Sequence, residues 1–180
     1  MTRNEALTLM QERITNINLR KHIIAVEAVM KHLARELKAD EEKWGLVGLL
    51  HDLDYEETKN DPSRHTLVTE EMLKDKVAQE IIDGIKSHND KKTRVSPMEH
   101  AIYAADPVTG FLVACALIRP EKKLAPVDVA FAKSRMKEKR FAAGASREAM
   151  NNCTNLGIDL DKFLQISLDA MKSISGELGL

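Results

Sequence analysis

Aromatic residues make up only 4% of the 180-residue chain, which weighs against a core built on a β-sheet, where aromatic and β-branched side chains carry much of the packing. Cysteine is almost absent as well. Cys115 and Cys153 are too few for a disulfide framework and form no Cys-x-x-Cys pair, so each reads as a small buried apolar residue in a reducing compartment. An excess of one charge is missing too: 27 Lys and Arg nearly cancel 28 Asp and Glu, for a net charge of -1. The broad basic footprint of a protein that tracks polymeric nucleic acid or an anionic membrane is therefore not there. No stretch reads as a membrane span, and Met1–Glu5 leads into an amphipathic segment with Glu12 and Arg13 rather than a signal-peptide core, so the expected location is the cytoplasm. Repeats, low-complexity tracts and linkers are lacking, and a single domain covering 1–180 is expected.

What the chain does have is helical periodicity, which predicts an all-α, single-domain helical bundle. A first helix is expected over about 3–14 and a second after Asn18 as N-cap, to about Leu37. A third follows Asp40 and ends near His51-Asp52; a fourth opens on Asp61-Pro62 and runs to about Lys74; a fifth covers 77–87. Ser96-Pro97-Met98-Glu99 carries a capping box with proline at the first helical position, so a sixth helix starts there and runs to about Ile118, with Pro107 inside it. Shorter C-terminal helices are expected within about 126–178: 127–140, 147–155 and 160–173.

Two metal-ligating residues, His51 and Asp52, end the apolar run Trp44–Leu50, where an unpaired charge would be costly. Further such residues face inward from other helices. His22 lies on the apolar stripe of Val26, Val29 and Leu33 at about 100° per residue; His65 shares a face with Val68 and Met72; His88 shares one with Ile81 and Ile85; Asp106 follows Ile102 by one turn. No Lys or Arg falls on those faces as a partner, and helical bundles build metal centres by such convergence. The donors are nitrogen and oxygen only, which suits one or two divalent transition metals per chain, among them Mn, Fe, Zn, Co and Ni.

The order His22, His51-Asp52, Asp106, with the first two histidines 29 positions apart, resembles the HD-domain superfamily of all-helical, metal-dependent phosphohydrolases. The resemblance covers about 18–111. It implies that His22, His51, Asp52 and Asp106 hold one metal, with His51 and Asp52 at the catalytic centre. His65 and His88 resemble the extra histidines of the dinuclear branch, as in HD-type cyclic dinucleotide phosphodiesterases and bacterial HD-type diadenosine tetraphosphatases; Asp52, with two oxygens, is then the natural bridging ligand. The chain departs from many members after the His-Asp pair, reading Leu53-Asp54-Tyr55 where they have Ile-Gly-Lys, and it lacks the Gly-Tyr-Pro element of the cyclic dinucleotide enzymes.

The resemblance implies hydrolysis of a small phosphorylated molecule, a nucleotide foremost. Lys91, Lys92 and Arg94, directly after His88, are the expected phosphate binders; Lys21 and Arg64 also adjoin candidate ligands. Asp54 and Glu56 are expected to orient ligands or act as bases, and the basic stretch Lys133–Arg140 to be a solvated helix face. Three other outcomes share the same ligand types: a nucleotide-binding sensor, a structural metal domain, and a di-iron HD-type oxygenase.

Overall fold

The computed structural model describes residues 1–180 and is made of helices alone. In chain order these are α1 (Arg3–Arg13), α2 (Ile17–Glu36), α3 (Glu41–Leu50), α4 (Tyr55–Thr58), α5 (Leu67–Leu73), α6 (Gln79–Ser87), α7 (Pro97–Leu117), α8 (Val129–Met136), α9 (Arg147–Asn151), a 3₁₀ turn (Asn152–Leu156), α10 (Leu160–Ser173) and α11 (Ser175–Leu178). The all-α expectation therefore holds.

Helices α2 and α7 form the middle of the molecule. α2 packs against α3, α7 and α10, and α7 also receives α6 and α9, so that one continuous apolar cluster runs from Ala6 to Leu178. α3 is buried at Trp44, Val47, Leu49 and Leu50, which explains why apolar residues surround it on nearly every side. Its closest approach to α2 falls at Gly48, where an added Cβ would lie 2.8 Å from Glu27 Cα.

Several boundaries differ from expectation for identifiable reasons. The cap of α2 is Asn16 rather than Asn18: its side chain accepts from the backbone N–H groups of Asn18 and Leu19. Asp61-Pro62 does not open a helix. Its carboxylate instead takes the Ser63 hydroxyl, 59–66 runs in turns, and the helix starts only at Leu67, after Thr66 with a left-handed φ of 68°. The short α4 and α11 carry no periodicity of their own and were not expected. The helix expected over 127–140 is shorter, Val129–Met136, and the one over 147–155 tightens into the 3₁₀ turn after Asn151. The Ser96 capping box forms as read, with Pro107 inside α7.

Against the expectation that no stretch could span a membrane, α7 is long and apolar enough to do so by length and composition. Its apolar character has another use here: Ala101, Ile102, Ala104, Ala105, Phe111 and Leu112 are fully buried against the surrounding helices.

Two measurements check this architecture. α2 ends in a Schellman arrangement, with Ala39 N–H donating to Ala34 O at 2.8 Å and Lys38 N–H to Arg35 O at 3.2 Å, which holds the exposed Lys38 at a φ of 55°. Lys38→Gly is expected to stabilise the fold by about 1 kcal/mol, read as a higher urea midpoint at unchanged slope. Burial pushes the thiols of Cys115 and Cys153 up, to about 12 and about 11. Neither is therefore expected to react with a thiol reagent at pH 8 until the protein is unfolded, when both should.

Candidate metal centre

A histidine is best set to offer one ring nitrogen to a metal when a hydrogen bond at the other fixes its tautomer and orientation, and four histidines of this chain are held that way in one place. His51 and His88 are the C-cap residues of α3 and α6. Each turns its ring back so that Nδ1–H donates to a carbonyl of the last turn, Gly48 O at 2.8 Å and Ile85 O at 2.6 Å. Carbonyls at a helix end lack intrahelical partners, so the bond satisfies the helix and fixes the tautomer together. His65 places Nδ1 2.7 Å from Asp54 Oδ1, and His22 places Nδ1 3.0 Å from the Thr109 hydroxyl. Thr109 donates its own hydrogen to Asp106 O at 2.9 Å, so its oxygen is free to accept from His22. All four rings thus present Nε2.

Those nitrogens converge on two carboxylates. His22 Nε2 lies 3.1 Å from Asp106 Oδ1 and 3.8 Å from Asp52 Oδ2, and His51 Nε2 lies 3.4 Å from Asp52 Oδ2. On the other side of Asp52, Oδ1 is 3.3 Å from His65 Nε2 and 3.6 Å from His88 Nε2. Two ligand groups result, His22-His51-Asp52 and Asp52-His65-His88, and Asp52 belongs to both. They line an open cavity of about 460 Å³ together with Asn16, Asn18, Leu19, Tyr55, Asn89 and Asp106, while His51 lies fully buried behind.

The electrostatics suit a cation. Burial lowers His51 to about 4, so its ring is neutral at physiological pH with a lone pair on Nε2. Burial opposes charge on Asp52 and Asp106, yet the surrounding imidazoles hold both below the usual carboxylate range, Asp52 well below it. Burial likewise opposes charge on His65, but its bonds to Asp52 and Asp54 push it up to about 9. His65 and His88 bring their Nε2 atoms within 3.2 Å of each other, a hydrogen bond from the charged His65 ring to the lone pair of His88, and a cation held between the two rings would take the place of that proton.

Supporting residues divide into those legible in the sequence and those not. Asp54 is fully buried, and besides His65 it accepts from Thr69 N–H at 2.9 Å; this is the orienting task expected of it. Glu56 has a different task, since its carboxylate accepts from Thr15 N–H, the Thr15 hydroxyl and Asn16 N–H and ties α4 to the loop before α2. Thr109 and Asn89 were missed. Asn89 lines the cavity and donates to His65 O at 3.2 Å, and a polar residue beside a candidate ligand was the one signal available for it. Thr109 sits one turn beyond Asp106 on α7, a spacing that would have pointed to it.

The three basic residues expected to bind phosphate are not among those that line this cavity. Lys92 pairs with the buried Glu99 at 2.9 Å, at the start of α7. Arg94 stacks 3.6 Å over the Tyr103 ring and donates to Ser87 O and Asp90. Lys91 is exposed and lines no part of the site. Fastening the α6–α7 loop is the task the geometry gives this segment.

The donor set fits a divalent transition metal on one further observation: His51 Nε2 is buried and has no hydrogen-bond partner. A buried polar atom left unpaired costs free energy unless something absent from the polypeptide satisfies it. His51→Ala and Asp52→Ala are each expected to lose bound metal, measured by elemental analysis of protein purified without chelator. Asp54→Asn should keep the fold but weaken metal binding by roughly 10–100-fold in a chelator competition, because the amide keeps an oxygen for Thr69 N–H but holds the His65 ring less firmly than the carboxylate does.

Comparison with known families matches the HD domain over residues 19–110, half of the chain, and the matched span holds all six residues of the cluster. No curated protein and no solved structure matches the chain. With the inward set of histidines and aspartates already assembled, the match is decisive for family: this chain belongs to the HD domain family, within the superfamily of metal-dependent phosphohydrolases.

Proposed function

We propose that this protein hydrolyses a small phosphorylated molecule, most naturally a nucleotide, at a centre of two divalent metal ions. The observation that carries the reading is the position of Asp52, whose two oxygens face different histidine pairs, His22 and His51 on one side and His65 and His88 on the other. One carboxylate shared by two ligand groups suits a pair of metal ions held close together. Bound there, divalent cations offset the charge of a phosphate ester and lower the pKa of coordinated water, so that hydroxide is available near neutral pH.

The remaining work falls to the protein. The Nδ1 bonds to Gly48, Ile85, Asp54 and Thr109 hold the four rings rigid, so no ligand has to reorganise as charge moves on the substrate. His51 and Asp52 are buried, while Asp106 keeps about a third of its side chain exposed and faces the open cavity. Asn18 and Asn89 supply amide groups at its wall that suit phosphate oxygens. A chain with a net charge of -1 and a compact cavity favours a small substrate over a polymer, and a location in the cytoplasm is consistent with such a task.

The test is a screen of mononucleotides, dinucleoside polyphosphates, cyclic dinucleotides and simple phosphomonoesters with Mn, Fe, Zn, Co and Ni supplied in turn. Hydrolysis of a small ester is expected, with Asp52→Asn lowering kcat by at least about a hundredfold. The metal content should exceed one per chain and fall toward one in His88→Ala. Activity confined to long RNA or DNA, or no hydrolysis of any phosphate ester at full metal content, would reject the reading.

A further inference from the structure

A second cavity, of about 540 Å³, opens beside the metal centre and shares two of its lining residues, Asn18 and His22. Its walls come from α2, from the C-terminal half of α7 and from Leu178–Leu180, which begin at the last residue of α11. On α7 the residues Asp106, Thr109, Gly110, Val113 and Leu117 follow one another at helical spacing, so a single stripe leads from a carboxylate of the metal centre into this cavity. On α2 the stripe Asn18, His22, Ala25 does the same from the histidine. The two cavities are thus joined through Asn18 and His22, on the His22 side of the candidate metal centre.

The chemistry changes along the way. Near His22 the lining is polar: Asn18, Thr109, and Lys21, whose ammonium donates to Leu178 O at 2.8 Å, a neutral carbonyl rather than a carboxylate. Only one of three N–H donors is used there, and the positive charge has no counter-charge of its own. Further in, the lining is Ala25, Val113, Leu117 and Leu178, and Leu117 is half exposed, one of the few large apolar side chains of this molecule left in water. An anion-favouring entrance followed by an apolar recess is complementary to a phosphate that carries a flat heteroaromatic ring.

Resting on the phosphohydrolase reading of the metal centre, we infer that this second cavity is the specificity site: it receives the nucleobase of the substrate, with Lys21 beside the phosphate end and the Leu178–Leu180 segment as a wall. The ring slots between α7 and α2, and its burial against Val113 and Leu117 gives binding energy that a small phosphate ester cannot obtain.

Gly110 provides the probe. It lines the cavity, and a Cβ added there would meet no atom within 4 Å, so a side chain at this position starts into open space. The full chain, loaded with metal, is titrated by calorimetry with the uncleavable methylenephosphonate analogues of the four common nucleoside monophosphates and with methylphosphonate, which has no ring. The wild type is expected to bind at least one nucleoside analogue tenfold or more tighter than methylphosphonate. Gly110→Trp and the smaller Gly110→Leu, at wild-type metal content, should reduce that preference to less than threefold. Equal affinity for ringed and ringless ligands in the wild type, or a preference that survives in both variants, overturns the inference. Hydrolysis is read separately: ring preference without cleavage of any ester keeps this site and rejects the reaction, whereas cleavage without ring preference does the reverse.

Discussion

At Gly48 helix α3 passes so close to α2 that there is no room for a side chain, since a Cβ would lie 2.8 Å from Glu27 Cα and 2.9 Å from its backbone nitrogen. This backbone-to-backbone approach sets the distance between the helix that carries His22 and the helix that ends in His51. Gly48 acts twice, because its carbonyl also receives the His51 Nδ1–H. A larger residue would push α3 outward by roughly the thickness of a methyl group, and the ring of His51 would move with its own anchor. Ligand geometry within a few tenths of an ångström thus rests on the absence of one carbon atom, buried behind the site it governs.

Much of the site could be read from the chain because its ligands stand at helix ends and on apolar stripes, where local rules apply. His51 and His88 close α3 and α6, so their inward aim follows from where apolar periodicity stops. His22 and Asp106 lie on the buried faces of long helices, and the capping box at Ser96 sets the register that carries Asp106 inward. What escaped the sequence depends on partners far along it. Thr109 meets His22 across 87 positions, and Lys92 and Arg94, basic residues beside a ligand, are claimed by Glu99 and Tyr103 on the next helix. Nearness in sequence to His88 placed them by the site; the turn of the loop took them away.

The error at Asp61-Pro62 has the same origin. A cap and a proline are sufficient to start a helix only where the chain is free to continue, and here the next residues must first deliver His65 to Asp54. The backbone reverses at Thr66, a buried threonine in a left-handed conformation that costs about 1–3 kcal/mol, and its hydroxyl is drawn to Asn89 at 3.2 Å. Local preference is overridden where a ligand has to be aimed.

The carboxylate of Glu56 spans the gap between α4 and the loop before α2, holding Thr15 and Asn16 through three hydrogen bonds. Asn16 and Tyr55, which stand at opposite ends of that clasp, both line the metal cavity. The two sides of the entrance are therefore not independent flaps. They are laced together by one side chain, so a shift of α4 that carries Tyr55 pulls on Asn16 as well, and two walls of the cavity that are far apart in sequence share one tether.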